Sequence, residues 1–314
     1  MHGRSFVAGF IAINNIKSIS YANVCLHLLV HIPPLRNVLL TGDYSRGASP
    51  LLRALSEAAR KIWNPRAFKA LLSPHEFMQA VSIASERRYS LSRSADAIDF
   101  LAWLLNTLDR DFAALPFQDL LSQNLRGKLV VSEKLYDPST GPLSSVSFTS
   151  KTVSFLFLSL DLPPTPLYQS ITGEYVTPQV SIEQLLGKYN GSHLTQRGNL
   201  LQAYSIEVSP PYLILHYRRF SKTHLVIEKN RTLVMHPLTG LSLPGPVSAL
   251  RYDLIINICH HGEADPSKSH YYSVQLKNQA SGRWYEIADL HVKEIPAVNI
   301  PLCESYIQVW QRQN

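Results

Sequence analysis

At 314 residues, with 45% hydrophobic and 17% charged side chains, the chain has apolar content for one large or two ordinary domains, which excludes disorder for its bulk. Its net charge of +7 is spread over scattered Lys and Arg, with pairs such as Arg87-Arg88 and no block of five or more. That reads as solvated surface or a mild preference for an acidic partner, and no aromatic-plus-basic module for sequence-specific nucleic-acid binding is recognisable. Three cysteines (Cys25, Cys259, Cys303) lie far apart in apolar stretches with no Cys-x-x-Cys, so no zinc or other cofactor is expected and the thiols are predicted reduced and buried.

The chain opens, through Ile16, without the charged start, apolar run and small-residue cleavage site of a signal peptide. No stretch approaches about 18 consecutive apolar residues, so no membrane span is expected. The first 125 residues read as helical. After Ser20, the apolar residues Ala22, Cys25, Leu26 and Leu29 mark one buried face, and Pro33-Pro34 is predicted to stop that helix. A second helix runs through Leu51, Leu55, Ala58, Ala59 and Ile62. A third is expected after Ser73, with Pro74 at the first helical position and Glu76 completing a capping box. A fourth runs from Asp96 to about Phe112, with Ile98, Leu101, Leu105 and Leu108 on one stripe.

Past Gly127 the period changes to two, with β-branched and aromatic residues. Strands are predicted at 128–134, 147–161, 202–208, 212–220, 225–228, 232–236, 252–260, 270–277, 284–287 and 306–311, with one short helix at 182–189. Helices first and strands afterwards predict an α+β fold, a helical lobe against a mainly antiparallel sheet with the cleft where they meet.

The segment Asn15-Ile16-Lys17-Ser18-Ile19-Ser20-Tyr21-Ala22-Asn23 resembles the nucleophile box of the ubiquitin-specific proteases, with Ser20 where the Cys belongs. Further segments resemble the splicing-associated branch of that family, the tri-snRNP-associated type. They are Lys61-Ile62-Trp63-Asn64-Pro65-Arg66-Ala67-Phe68-Lys69, Pro33-Pro34-Leu35-Arg36-Asn37, Pro210-Pro211-Tyr212-Leu213-Ile214, Val226-Ile227-Glu228-Lys229-Asn230 and Tyr306-Ile307-Gln308-Val309-Trp310. The resemblance spans almost the whole chain. It implies a single papain-like domain over 1–314, with a helical thumb at 1–125 and an antiparallel β palm and fingers at 126–314 that lack zinc. It also implies a nuclear, non-catalytic role in assembling or stabilising the spliceosomal tri-snRNP through protein contacts. The resemblance also implies an N-terminal ubiquitin-binding zinc finger, which is expected to be absent from this sequence.

The resemblance assigns Asn15 to the oxyanion position and aligns His270 with the family's base. It implies that the splicing branch generally lacks that His. Ala288 falls at the orienting-acid position, with Asp289 beside it. A thiol at a helix N-terminus ionises near neutral pH, whereas a hydroxyl needs a strong base and a well-built oxyanion site. A weak serine-type hydrolase using Ser20, His270 and Asp289 is therefore set against a plainer reading, in which Ser20 caps the helix by accepting from the N–H of residue 22 or 23. His270 alone reads equally as a hydrogen-bonded sheet residue. His260-His261 beside Cys259 point to opposite faces of a strand and do not share a metal. Asp96 and Asp99 resemble the acidic box that grips the ubiquitin tail, which leaves a ubiquitin reader without chemistry as a further alternative. Asp96 also simply suits a helix start. Trp63, Arg66, Phe68 and Tyr168 are candidate interface anchors, Trp63 and Phe68 reading equally as caps on the helical core.

Overall fold

The computed structural model describes residues 7–66, 71–135, 148–164, 177–223, 226–263 and 270–313. Helices come first: α1 (Ser20–His31), α2 (Pro33–Thr41), α3 (Pro50–Ile62), α4 (His75–Ala84), α5 (Ala97–Ala113) and α6 (Leu120–Leu125). Every residue of α1 is buried, so it is the central helix of its lobe rather than a helix with one apolar face. α1 stops ahead of Pro33-Pro34, as expected, and a second helix follows at once. Ile32, restricted by the proline after it, turns extended, and the two prolines open α2 at about a right angle (88°) to α1. Ser49 caps α3 by accepting from the Leu52 N–H at 3.1 Å, with Pro50 in the first turn. The capping box expected at Ser73 does not form. Pro74 stands at the N-cap of α4 with no side-chain cap, and Glu76 pairs instead with Lys61 at 2.7 Å. On α5 the side chains of Leu101, Leu104, Leu105 and Leu108 are buried, each contributing about 1.5–3 kcal/mol relative to exposure.

The β region comprises β1 (Gly127–Leu135), β2 (Thr149–Phe155), β3 (Leu158–Asp161), then the short helix α7 (Ile182–Leu186). It continues with β4 (Asn190–Arg197), β5 (Leu200–Val208), β6 (Tyr212–Arg218), β7 (Arg251–Gly262), β8 (His270–Lys277), β9 (Trp284–Ala288), β10 (His291–Ile295) and β11 (Ser305–Arg312). Among the described residues these strands form two sheets. A four-stranded antiparallel sheet runs β2-β1-β5-β4, and a larger one runs β10-β9-β8-β7-β11-β6-β3 with Leu241–Ser242 added alongside β7. Within the larger sheet only β3 and β6 run parallel. The single strand expected over 147–161 is in fact two. The chain breaks at Leu156-Phe157 and passes from one sheet to the other, which a continuous β-prone run does not reveal. The expected strand at 212–220 also breaks, at Arg219, whose buried guanidinium donates to the carbonyls of Ser305, Asn230 and Thr232.

The N-terminal end of α1 packs against β8, where Tyr272, Val274 and Leu276 join the helical core. Cys259 on β7 and Cys303 ahead of β11 are paired as a disulfide with Cα atoms 6.4 Å apart, and Cys25 is the free, buried cysteine. This corrects the expectation of three reduced thiols. The pairing of β7 with β11, Cys259 opposite Ser305, brings together cysteines that are 44 positions apart.

Candidate functional site

The segment entering α1 is pinned before the helix begins. Ala12–Ile13 pairs in parallel with Leu71–Leu72, and the Asn23 side-chain amide donates to the carbonyls of Ile13 and Asn14. Lys17 and Ser18 follow with φ of 53° and 68°, a left-handed pair that costs of order 1–3 kcal/mol each for non-glycine residues and persists only where the surroundings fix it. Ser20 is the first residue of α1, and Ile19 stands at the N-cap. The Ser20 side chain does not cap the helix, contrary to the simpler expectation. Its Oγ accepts from the backbone N–H of Tyr272 at 3.2 Å.

The geometry of β7 and β8 explains this bond. Tyr272 lies opposite His260, whose own N–H turns the other way, to the carbonyl of Glu304. The two form a pair without mutual hydrogen bonds, so the Tyr272 N–H points toward the β9 side. The β8–β9 ladder stops at Val274–Ile287, leaving that N–H without a strand partner. The Ser20 hydroxyl supplies one. Ser20 is 6% and Tyr272 4% exposed, so the bond is out of water. Accepting this bond takes up one of the hydroxyl's two lone pairs, which lowers its nucleophilicity.

The other members of the box are placed less productively. Asn15 Oδ1 is buried with no hydrogen-bond partner among the described residues. Tyr21 packs edge-on against Phe100 in the helical core. His270 opens β8, with Nε2 2.9 Å from the Ser94 hydroxyl and the ring stacked on that of His260. Ala288, the last residue of β9, offers no carboxylate, and Asp289 follows in the left-handed region at φ 49°, which Asp tolerates better than most residues. Ser20 and Asp289 share a cavity of only about 10 Å³ with Asn23, His27 and Tyr272, room for at most one water. His270 is not among the residues lining that cavity.

Across the junction, the start of α5 is tied to the large sheet by two phenols. Tyr306 donates to both carboxylate oxygens of Asp96 at 2.7 Å, and the Tyr272 hydroxyl accepts from the Ala97 N–H at 3.4 Å. Asp96 is also the N-cap of α5, accepting from Ile98 N–H at 2.9 Å. Burial pushes its carboxyl above the usual range, against the opposing pull of these two donors. Burial likewise raises Tyr306 and Tyr272, with Asp96 adding to both, so each phenol stays protonated and able to donate. The Cys25 thiol, raised by burial, donates to the Ala97 carbonyl at 3.4 Å. Asp96 thus has its oxygens committed within the fold, while Asp99, one turn on, is exposed. Tyr306 had been visible in the motif Tyr306-Ile307-Gln308-Val309-Trp310. Its partner had not, because 210 residues separate the two.

The profile described as "Ubiquitin carboxyl-terminal hydrolase" matches residues 11–310. The chain belongs to that family. Over 99% of its length it is 32% identical to "Probable mRNA-splicing protein ubp10" of Schizosaccharomyces pombe, of which it covers 66%. It is 34% identical, again over 99% of the chain, to "Ubiquitin carboxyl-terminal hydrolase 39" of Homo sapiens, of which it covers 60%. A solved structure described as "Crystal structure of an essential yeast splicing factor" superposes with a TM-score of 0.79 at 25% identity, covering 99% of this chain and 71% of that one. The chain therefore spans less than two thirds of the length of these curated relatives. The splicing-branch resemblance drawn from the motifs agrees with them.

Within this hydrolase fold the expected surface anchors have separate fates. Trp63 is half-buried: its indole donates to the Val30 carbonyl at 2.8 Å and its ring meets His31. Arg66 is exposed beyond a turn closed by the Asn64 side chain. Phe68 and Tyr168 lie outside the described residues. His260 and His261 face opposite sides of β7, against Phe220 and Tyr271 respectively. Among the described residues no group of three or more His, Cys, Asp or Glu is placed to hold a metal.

Proposed function

We propose that this chain is a ubiquitin-specific-protease fold that has given up catalysis and works in the nucleus as a protein-binding scaffold in pre-mRNA splicing, stabilising the spliceosomal tri-snRNP. One observation carries the loss of catalysis. The residue at the nucleophile position is a serine whose oxygen is engaged by the Tyr272 N–H. The surrounding geometry supports it: His270 is engaged by Ser94, and the orienting-acid position is Ala288. The splicing role is supported by the relatives named as splicing proteins. Asp96 contributes to joining thumb and palm, so ubiquitin-tail binding, if retained, falls to Asp99. The test pairs two measurements. The purified chain incubated with ubiquitin–7-amido-4-methylcoumarin is expected to release no fluorophore, and the tagged chain is expected to co-purify with tri-snRNP proteins from nuclear extract. Turnover abolished by Ser20→Ala would replace the scaffold reading with a serine hydrolase. A chain recovered without tri-snRNP proteins would remove the splicing role.

A further inference from the structure

Away from the cleft, where the N-terminal segment meets α2, α3 and the turn after β8, lies an open cavity of about 420 Å³, within the range of about 300–1,000 Å³ typical of ligand sites. Its walls are largely apolar, formed by Val7, Phe10, Trp63 and Ile255, and two cations, Arg36 and Lys277, stand on it. The Trp63 ring is held on both sides. Its indole nitrogen donates to the Val30 carbonyl, and Gly9 lies so close behind that an added Cβ would fall 2.8 Å from a ring carbon. The wall is therefore built before any ligand arrives, which lowers the ordering cost of binding. Arg36 stacks over the same ring at 4.7 Å, and its Nε donates to the neutral Asn37 side chain. Among the described residues neither Arg36 nor Lys277 has a carboxylate partner, and no acid lines the cavity.

An apolar recess with two unneutralised cations from separate elements matches one kind of occupant. We propose that it docks an acidic peptide segment of a partner protein, with one aromatic or branched aliphatic side chain against Trp63 and flanking carboxylates on Arg36 and Lys277. Charge complementarity selects the segment and the fixed aromatic wall supplies the anchor. The inference is independent of the splicing role and of the degenerate cleft.

The probe is a fluorescein-labelled hexapeptide with a central phenylalanine flanked by glutamates, followed by fluorescence anisotropy. Saturable binding is expected. Affinity should fall about fivefold to tenfold in Arg36→Glu and in Lys277→Glu, each checked by thermal melting to be folded. It should fall about tenfold when the peptide's phenylalanine becomes alanine. Equal binding of the alanine peptide would reduce the effect to net charge and overturn the proposal, as would unchanged affinity in both reversals. Binding that appears only after removal of residues 1–6 would assign the recess to the chain's own N-terminal segment. Concentration-dependent dimerisation lost in Lys277→Glu would assign it to a second copy.

Discussion

Replacing Ser20 with alanine tests the role the structure gives to its hydroxyl. The substitution removes the acceptor of the Tyr272 N–H at a site largely out of water, where the adjoining cavity has room for at most one water. An orphaned buried backbone donor costs about 1–3 kcal/mol. Alanine recovers up to about 0.5 kcal/mol through its better helix propensity in the first turn of α1. The net expectation is a loss of about 0.5–3 kcal/mol, read as a lower urea midpoint with unchanged slope. It also corresponds to a Tm lower by a few degrees, at about 2–4 °C per kcal/mol for domains of 150–250 residues. Amide hydrogen exchange gives the local readout: protection of the Tyr272 N–H should fall while that of Leu276, deeper in β8, changes only by the global loss. An unchanged midpoint together with an equally protected Tyr272 amide would show that something else satisfies this N–H, and the account of Ser20 would fail.

Ser20→Cys is expected to stay silent toward ubiquitin–7-amido-4-methylcoumarin, because a thiol restores neither the orienting carboxylate at Ala288 nor the freedom of His270. Release above the enzyme-free blank would refute this. Asp96→Ala removes the α5 cap and strands the Tyr306 hydroxyl, at about 2–4 kcal/mol by urea denaturation, whereas Asp96→Asn, still able to cap, should cost less. Stability should fall on acidification from about pH 6.5 toward 4. Burial holds His31 and His216 at about 4 and His260 at about 3, so the unfolded chain takes up these protons first; stability is complete above the ordinary His pKa of about 6.5. His31 alone accounts for on the order of 3 kcal/mol over that window, with Asp96, raised by burial, acting in the opposite sense at its lower end. Urea midpoints equal at pH 7.5 and 4.5 would contradict it. Thiol counting in denaturant without reductant is expected to find Cys25 alone; three reactive thiols would dissolve the Cys259–Cys303 pair.

Much of the fold was legible in local pattern. The period-3.6 stripe of α5 and the period-two run of β8 each produced the element found, because burial on one side imposes its repeat on the sequence. β4 and β10 escaped because they sit at sheet edges with mostly polar side chains, so their strand character comes from pairing with β5 and β9 rather than from composition. Pro33-Pro34 ends α1 as the sequence implies, but the same pair does not reveal α2, because proline suits a helix's opening turn as well as its end. At the site, the positions of Asn15, Ser20 and His270 were legible only through the family resemblance, and their engagements were not legible at all. Ser20 finds its donor 252 positions away, His270 meets Ser94 across 176, and Cys259 finds Cys303 through strand register. A helix cap was the nearest local explanation for Ser20, and a distant strand end displaced it.

The hydroxyl at position 20 finishes the edge of a β-ladder, and this bears on what a cysteine at that position would do to the fold. Sulfur accepts hydrogen bonds weakly. A cysteine there would loosen the mooring of β8, whatever it did for reactivity. The serine is therefore held in place by folding even where no reaction depends on it.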